Sequence, residues 1–379
     1  MMRTQARRPP ARRGIALIVT LVVVMLITAF LAEFSFTTGL ELRTVQTFKE
    51  RAEARALARA AFKAIQIGLL GDEVEFMAGY RRLSQLLQFS AVPWEDGLLT
   101  GLEVQPLDPL FNLNRFPKLR EGSENFFLFH EVFQNLLSTA IPEPDEFTVI
   151  VQPLDEDAVS IIYAEIVDWL DVDDLIFTYL PGIQGAEQSA YFGETPELTV
   201  KNRALDRLEE IRPIRSIGES RISWGDWQAR FTIYERKDDN LYPGRINPNV
   251  ASFEEIVAFL EARRLSDADT QGLSGAIIDI QIRLNEYANK AGAIAEELQP
   301  AEGQLPDLSM GAIRSAIQRA NANPGLYEQV FSTVDEHFRI AITTEVNEVQ
   351  AHLEAVVHTP RNAADRTASS VAVLEFTLD

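Results

Sequence analysis

Acidic side chains between residues 168 and 187 have types and spacings suited to binding a metal ion. The carboxylates in question are Asp168, Asp171, Asp173, Asp174 and Glu187. Calcium takes six to eight oxygen ligands, which such a group can supply, whereas magnesium keeps most of its water. The spacing is not that of an EF-hand, because no glycine occupies the turn position. We therefore predict a Ca2+ site formed by these five residues.

A simpler interpretation of the same stretch is a helix whose exposed C-terminal end is acidic. Carboxylates at a helix C-terminus oppose the helix dipole, so four within seven residues are unfavourable without a cation. The surrounding segment adds to this repulsion, because residues 121–200 contain 17 acidic side chains and no Lys or Arg. This charge imbalance favours the metal site.

The sequence offers little that could perform catalysis. It contains no cysteine and four histidines, and it lacks a glycine-rich phosphate loop and a G-x-S-x-G motif. The histidines are His130, His337, His352 and His358. A calcium-dependent hydrolase is therefore disfavoured, since no nucleophile and base can be named, and we predict that the protein is not an enzyme.

Two Asn-x-Asn phrases, at residues 112–114 and 247–249, resemble a repeated structural device. Asn readily bonds its own backbone and caps helices, which favours a structural turn. In helix-hairpin-helix proteins a similar phrase precedes a pair of helices that contact DNA. The formal net charge of -21 argues against nucleic acid as a partner here, because phosphate binding needs concentrated basic residues.

The elements that carry these residues begin with an apolar N-terminal segment. Ile15 to Ala32 gives 18 mostly apolar positions without a charge, preceded by five arginines and followed by Glu33. A core helix, a cleaved secretory signal and a retained membrane anchor all fit this length. A retained anchor is favoured because the small-residue cleavage pattern of a secretory signal is lacking. The arginines place the N-terminus in the cytoplasm and the rest of the chain outside.

The helical pattern continues beyond the apolar segment. No proline occurs between Pro10 and Pro93, and residues 41–70 are rich in helix-forming Ala, Arg, Glu, Leu and Lys. We therefore predict one helix over residues 15–70, of which residues 15–34 cross the membrane. A helix of that length measures roughly 84 Å at about 1.5 Å per residue.

The remaining chain mixes helices and strands, which predicts an α+β fold. Apolar residues at helical intervals predict a helical subdomain over residues 118 to about 225. Alternation predicts strands at 101–104 and 229–233. Three further alternating runs at the C-terminus predict a β-meander. Ser252 and Glu255 predict a capping box for a helix through Arg264, and further helices are expected near 267–297 and 309–322. A sheet formed partly before and partly after a helical block implies that the block is inserted.

The N-terminus resembles that of type IV pilin-like precursors. Arg12, Arg13 and Gly14 followed by Ile15 are similar to the leader at which prepilin peptidase cuts. The resemblance implies cleavage between Gly14 and Ile15 and methylation of Ile15. Most such proteins carry Glu at mature position five, where this chain has Val19. A carboxylate in lipid is costly without a partner, so Val19 indicates a subunit with no neighbour above it, at a tip.

Together these features resemble the minor pseudopilin protein K family of type II secretion systems. The leader, Val19, the two Asn phrases and the acidic cluster occur in the order expected of that family. The resemblance implies a pilin sheet with an inserted calcium-binding helical domain at the tip of a short pseudopilus. Implied partners are I-, J- and H-type minor pseudopilins, the G-type major pseudopilin, the inner-membrane assembly platform, prepilin peptidase as processing enzyme and the secreted substrate.

The resulting organisation has five parts. These are a basic leader (1–14), the N-terminal helix (15–70), a first part of the pseudopilin body (71–117), an inserted acidic helical domain (118–225), and a second part of the body (226–379) with a helical segment at 251–325. We expect a single-pass protein of the bacterial inner membrane with a periplasmic body. A minor type IV pilin for adhesion or DNA uptake and a membrane-anchored DNA receptor remain the alternatives.

Overall fold

The computed structural model describes residues 13–118, 124–138, 154–193, 199–234, 244–263, 286, 289–301, 304–362 and 366–379. The α-helices are α1 (Arg13–Leu70), α2 (Glu73–Leu87), α3 (Glu124–Ser138), α4 (Glu156–Leu170), α5 (Arg215–Ser220), α6 (Trp224–Arg230), α7 (Phe253–Glu261), α8 (Met310–Arg319) and α9 (Pro324–Tyr327). The strands are β1 (Val92–Trp94), β2 (Gly97–Pro106), β3 (Phe111–Asn112), β4 (Thr178–Leu180), β5 (Ile183–Gln184), β6 (Phe231–Thr232), β7 (His337–Val346), β8 (Val349–His358) and β9 (Ala372–Leu378). Residues 289–297 are also helical.

Helix α1 is a single unbroken element, as predicted. Its 58 residues correspond to about 87 Å at 1.5 Å per residue. The apolar side chains from Leu17 to Phe36 are exposed. Among the described residues this is the one helix whose length and apolar composition suffice to cross a membrane.

The C-terminal half of α1 packs on a five-stranded sheet. The strand order is β1-β2-β7-β8-β9, and every neighbouring pair is antiparallel. Alternate residues of β7 and β8 face α1 and are buried there, because the pleat of a strand sends successive side chains to opposite faces. Ala58, Phe62 and Ile65 of α1 meet this face. The predicted C-terminal meander is confirmed.

The helical unit is inserted between two adjacent strands. Val104 of β2 pairs with Ile340 of β7, and the whole segment between these strands leaves the sheet and returns to it. The Leu107 N–H donates to the His337 carbonyl over 2.9 Å, which joins the two ends of the excursion. The expected α+β fold, with a long N-terminal helix and a large insertion, is confirmed.

A second hydrophobic core holds the insertion together. Helices α3 and α4 bury an aromatic cluster in which Phe111 and Phe133 are 5.8 Å apart between ring centroids and Phe116 and Tyr163 are 4.9 Å apart. This core continues past residue 225 to Trp227, α8 and Phe331. The boundary predicted at 225 therefore falls inside one core. Among the described residues from 226 to 331, the buried apolar side chains pack with the helical unit, except for Val250, which joins the core of the five-stranded sheet.

Several local predictions differ from the structure. No helix is predicted over residues 71–117, but Glu73–Leu87 form α2, and Asp72 caps this helix by accepting from the N–H groups of Val74 and Glu75. The strand predicted over 229–233 shrinks to β6, since α6 continues to Arg230. β6 pairs in parallel with β3 and not with the large sheet. Most of the helix predicted at 267–297 lies outside the described residues.

Candidate metal centre

The acidic cluster lies at the C-terminal end of α4. Asp155 caps the start of α4. The apolar side of α4 packs against α3, and this packing fixes the position of the last turn of α4. Asp168 lies in that turn, and Asp171 is the residue at which the helix ends. Glu187 is brought alongside by the short hairpin of β4 and β5, which returns the chain toward α4.

Three of the five predicted carboxylates meet at one point. Asp168, Asp171 and Glu187 each contribute an oxygen, and these atoms lie within 4.8 Å of one another. Asp168 and Glu187 are buried and Asp171 is half-buried. The Phe177 N–H donates to Asp168 Oδ1 over 2.9 Å, while Asp168 Oδ2, Asp171 Oδ1 and both Glu187 oxygens are buried without a hydrogen-bond donor.

Burial and mutual repulsion make these carboxylates hard to ionise. Burial, together with the charges of Glu187 and Asp171, raises the pKa of Asp168 from 3.8 to about 7. The same causes raise the pKa of Asp171 to about 6 and that of Glu187 to about 7. Because a cation would relieve both the desolvation and the repulsion, the site is electrostatically prepared for one.

Gly185 makes the centre possible by having no side chain. A Cβ atom at this position would lie 2.2 Å from Asp168 Oδ2 and 2.6 Å from the Ala164 carbonyl oxygen. The hairpin backbone can therefore approach α4 closely enough for Glu187 to reach Asp168 and Asp171. Gly185 was not among the predicted site residues.

The other two predicted ligands, Asp173 and Asp174, lie outside this group of three. Asp173 Oδ1 accepts from the Leu175 N–H over 2.8 Å, which shapes the loop after α4. Their charges still act on the centre, because both raise the pKa of Glu187. The structure therefore groups three of the five predicted carboxylates, and calcium binding by this site stays a prediction.

Asn202 lies next to the acidic cluster and was not among the predicted ligands. Its Nδ2 donates to the Asp173 carbonyl and to Asp174 Oδ1, and its Oδ1 is buried without a hydrogen-bond donor. The residue adopts a left-handed backbone conformation with φ of 46°. Its N–H donates to the Trp169 carbonyl, which ties this segment to the end of α4. The signal in the sequence was the Lys201-Asn202 pair that follows the acidic cluster.

The donor set fits calcium. The unpartnered atoms of the three carboxylates are oxygens, and hard cations prefer such ligands. Asp168, Asp171 and Glu187 would hold the ion, with Asn202 beside them. The chemistry that calcium would supply is charge neutralisation, which would join the α4 end, the hairpin and the segment after residue 199.

Both Asn-x-Asn phrases form structural clamps. Asn112 Oδ1 accepts from the Asn114 N–H, and Asn247 Oδ1 accepts from the Asn249 N–H. The second Asn of each phrase then holds a distant backbone segment: Asn114 Oδ1 accepts from the Leu205 N–H, and Asn249 Oδ1 accepts from the Leu308 N–H, each over 2.7 Å. The structural interpretation is therefore confirmed.

A Ser–His–Tyr arrangement lies inside the α3–α4 interface. His130 Nε2 is 3.2 Å from Ser160 Oγ, and His130 Nδ1 is 2.8 Å from the Tyr179 hydroxyl. Ser160 and His130 are buried, and the His130 and Tyr179 rings stack at 3.9 Å. The trio therefore packs the helices together and does not line an accessible site.

Comparison with known proteins supports one family. The chain is 26% identical over 216 residues to the Escherichia coli (strain K12) protein named "Putative type II secretion system protein K", an alignment that covers 55% of this chain and 59% of that protein. The chain thus matches less than two thirds of the length of this relative. No family model matches.

A solved structure matches more of the chain. A chain of the GspK-GspI-GspJ complex from the enterotoxigenic Escherichia coli type 2 secretion system superposes with a TM-score of 0.50 at 15% identity, over 90% of this chain and 99% of that one. The resemblance to the protein K family is confirmed. At this level of identity the structural likeness establishes the shared fold. The cleavage site at Gly14 and Ile15 stays a prediction.

Proposed function

We propose that this chain is a minor pseudopilin that occupies the tip of a type II secretion pseudopilus. The observation that carries the proposal is the insertion of a bulky helical unit between adjacent strands β2 and β7, beside the helix that would pack in the shaft. A subunit with such a unit fits poorly between stacked neighbours but fits at an end. Its role is assembly for protein export across the outer membrane, without catalysis.

The proposed topology is that of a single-pass inner-membrane protein. The exposed apolar half of α1 lies in the bilayer and the folded body lies in the periplasm. The arginines before Ile15 favour a cytoplasmic N-terminus. Membrane fractionation with protease protection tests this orientation: the body should be cleaved in spheroplasts and protected in inverted vesicles.

Processing by prepilin peptidase is part of the proposal. The mature chain should begin at Ile15, with a methylated amine. N-terminal sequencing and mass spectrometry of protein purified from the native membrane test this directly. A mature N-terminus elsewhere, such as one produced by ordinary signal peptidase beyond Ala32, would contradict the pseudopilin assignment.

The proposed partners are the other pseudopilins. A chain of similar fold belongs to the GspK-GspI-GspJ complex, which supports I- and J-type subunits as the first candidates. H- and G-type pseudopilins, the assembly platform and the secreted substrate follow from the same role. Co-purification of the full chain with each candidate from the same genome tests the assignment, and a chain that binds none of them would contradict it.

Calcium binding completes the proposal. Isothermal titration of the chelator-treated protein should show binding that Asp171→Ala weakens by at least tenfold. Asp157→Ala is the matched control. Asp157 is an exposed carboxylate in the first turn of α4, whereas the centre lies at the other end of this helix. If neither the unsubstituted protein nor the control bound calcium, the centre would not be a calcium site.

A further inference from the structure

Strand β9 forms one edge of the five-stranded sheet, and this edge is unoccupied in the described structure. β8 pairs with one side of β9, and among the described strands none pairs with the other. An edge strand presents unpaired backbone N–H and C=O groups, which can template the addition of another strand. We call this side of β9 the open edge.

The two edges of the sheet differ in how well they are protected. β1, at the opposite edge, has three residues, includes Pro93 and is followed by Glu95 and Asp96. β9 has seven residues, and its one charged side chain is Glu375. Natural sheets commonly protect edges with short strands, proline, lysine or bulges. By these criteria β1 is guarded. β9 has one irregularity in its pairing with β8, at Leu374, and is open over the rest of its length.

The backbone pairing shows which groups of β9 face the open edge. Asp379 and His352 exchange both of their backbone hydrogen bonds, at 2.9 and 3.3 Å. In an antiparallel ladder such pairs alternate with pairs whose N–H and C=O groups point outward. The register Leu353 with Leu378 and Ala355 with Phe376 therefore directs the polar backbone groups of Leu378 and Phe376 toward the open edge.

Apolar side chains accompany these backbone groups. Val373, Leu374 and Phe376 are 44 to 45% exposed. The Phe376 ring meets Phe62 of α1 at 5.9 Å, so it lies on the α1 side of the sheet. α1 packs mainly over β7 and β8, which leaves the outer part of β9 without a cover. An added strand would cover this apolar surface and satisfy the backbone groups together, whereas a docked helix would cover only the surface.

From these features we infer that β9 is a docking site for an extended segment of a different protein, which adds to the sheet as a sixth strand. The partner segment alternates apolar and polar residues and carries Lys or Arg opposite Glu375. Docking at this edge requires neither an occupied metal centre nor the proposed role in secretion.

Charge decides against a second copy of this chain as the occupant. Glu375 is the central residue of β9, so antiparallel pairing of two β9 strands over their full length would place Glu375 opposite itself. Like charges directly opposite each other destabilise a strand pair. The formal charge of -21 per chain adds to the repulsion between copies. A basic residue in a foreign strand removes the repulsion and replaces it with attraction.

The test uses the full chain in detergent micelles and three labelled nine-residue peptides of alternating Val and Thr. One peptide carries Lys at the centre, one carries Glu there, and the third keeps the central Lys and carries Pro at the next position, which lies opposite an outward-facing residue of β9. Fluorescence anisotropy should show that the Lys peptide binds at least tenfold more tightly than the other two, because Glu repels Glu375 and Pro removes a backbone donor that faces β9. Equal binding of the Lys and Pro peptides would overturn the inference.

Two variants locate the binding. Leu374→Lys places a charge on β9 and should weaken binding of the Lys peptide by at least tenfold. Val92→Lys places the same charge on the guarded edge β1 and should leave binding unchanged. Amide exchange of the unsubstituted chain provides a readout that needs no variant: the peptide should slow exchange at Phe376, whose N–H faces outward, and not at Thr377. Unaltered exchange at Phe376 with bound peptide would overturn the inference.

Self-association is measured in the same material. Sedimentation should show a single copy of the chain per micelle at concentrations up to those of the peptide assay. A dimer that Leu374→Lys dissociates and Val92→Lys does not would overturn the assignment of a foreign occupant, since a second copy would then fill the edge.

Discussion

The Glu73 carboxylate and the Arg361 guanidinium lie 3.6 Å apart, and both side chains are completely buried. Glu73 begins α2, directly after the long helix, and Arg361 follows β8 near the other end of the chain. Arg361 also donates to the carbonyls of Leu69 and Asp335, so it links the end of α1 to the point where the insertion returns to the sheet. This pair joins three parts of the molecule that are distant in sequence.

Removal of Arg361 should destabilise the body strongly. Arg361→Met leaves Glu73 buried without its cation, and breaking a buried ion pair in this way costs about 3–5 kcal/mol. The double variant Glu73→Gln/Arg361→Met should recover part of this loss, because the remaining polar group carries no charge. Urea unfolding monitored by circular dichroism measures both, and equal stability of the single variant and the unsubstituted chain would contradict the prediction.

Gly185→Ala should disrupt the metal centre with little other effect. The added methyl would collide with Asp168 Oδ2 and the Ala164 carbonyl, so the hairpin that carries Glu187 must move away. We expect calcium affinity to fall at least tenfold in isothermal titration. Gly218→Ala in α5 is the matched control, since a Cβ there meets nothing within 4 Å. Unchanged affinity in Gly185→Ala would show that Glu187 is not a ligand.

The metal-free protein should lose stability as the pH rises. The folded-state pKa values of Asp168, Asp171 and Glu187 are raised to about 7, 6 and 7, above the ordinary values of 3.8 and 4.5. The folded state therefore holds these protons more tightly than the unfolded state, and their contribution to stability is full below about pH 4 and is lost as the pH rises toward 7.

Thermal unfolding in chelator measures this pH effect. The variant Asp168→Asn/Asp171→Asn/Glu187→Gln removes the three titrating groups and serves as the reference at each pH. Between pH 5 and 7.5 the unsubstituted chain should lose stability relative to this variant, and added calcium should restore it. Parallel stability curves for the two proteins would refute the assignment of the raised pKa values.

A hydroxyl on the sheet fixes the long helix. Thr344 is fully buried on β7, and its Oγ1 donates to the Ala54 carbonyl of α1 over 2.8 Å. Thr344→Val keeps the shape and should cost about 1 kcal/mol, the usual net value of one hydrogen bond. Thr343→Val on the opposite face is the control and should change stability by less than half as much. Chemical denaturation of both variants compares them, and equal losses would contradict a specific contact between α1 and β7.

Local patterns in the sequence determined the elements whose formation depends on near neighbours. The apolar run and the lack of proline specified α1, strict alternation specified β7, β8 and β9, and Ser252 with Glu255 formed the predicted capping box. Each of these features is set by residues a few positions apart, because helix and strand periodicity are local properties of the backbone.

Tertiary structure alone decided how those elements meet. β6 pairs with β3 instead of joining the large sheet, and residues beyond 225 complete the core of the insertion. Glu187 reaches Asp168 because a hairpin folds back over Gly185, while Asp173 and Asp174 turn aside. Such choices depend on which apolar faces are buried together and on which backbones can approach closely, and no short stretch of sequence contains that information.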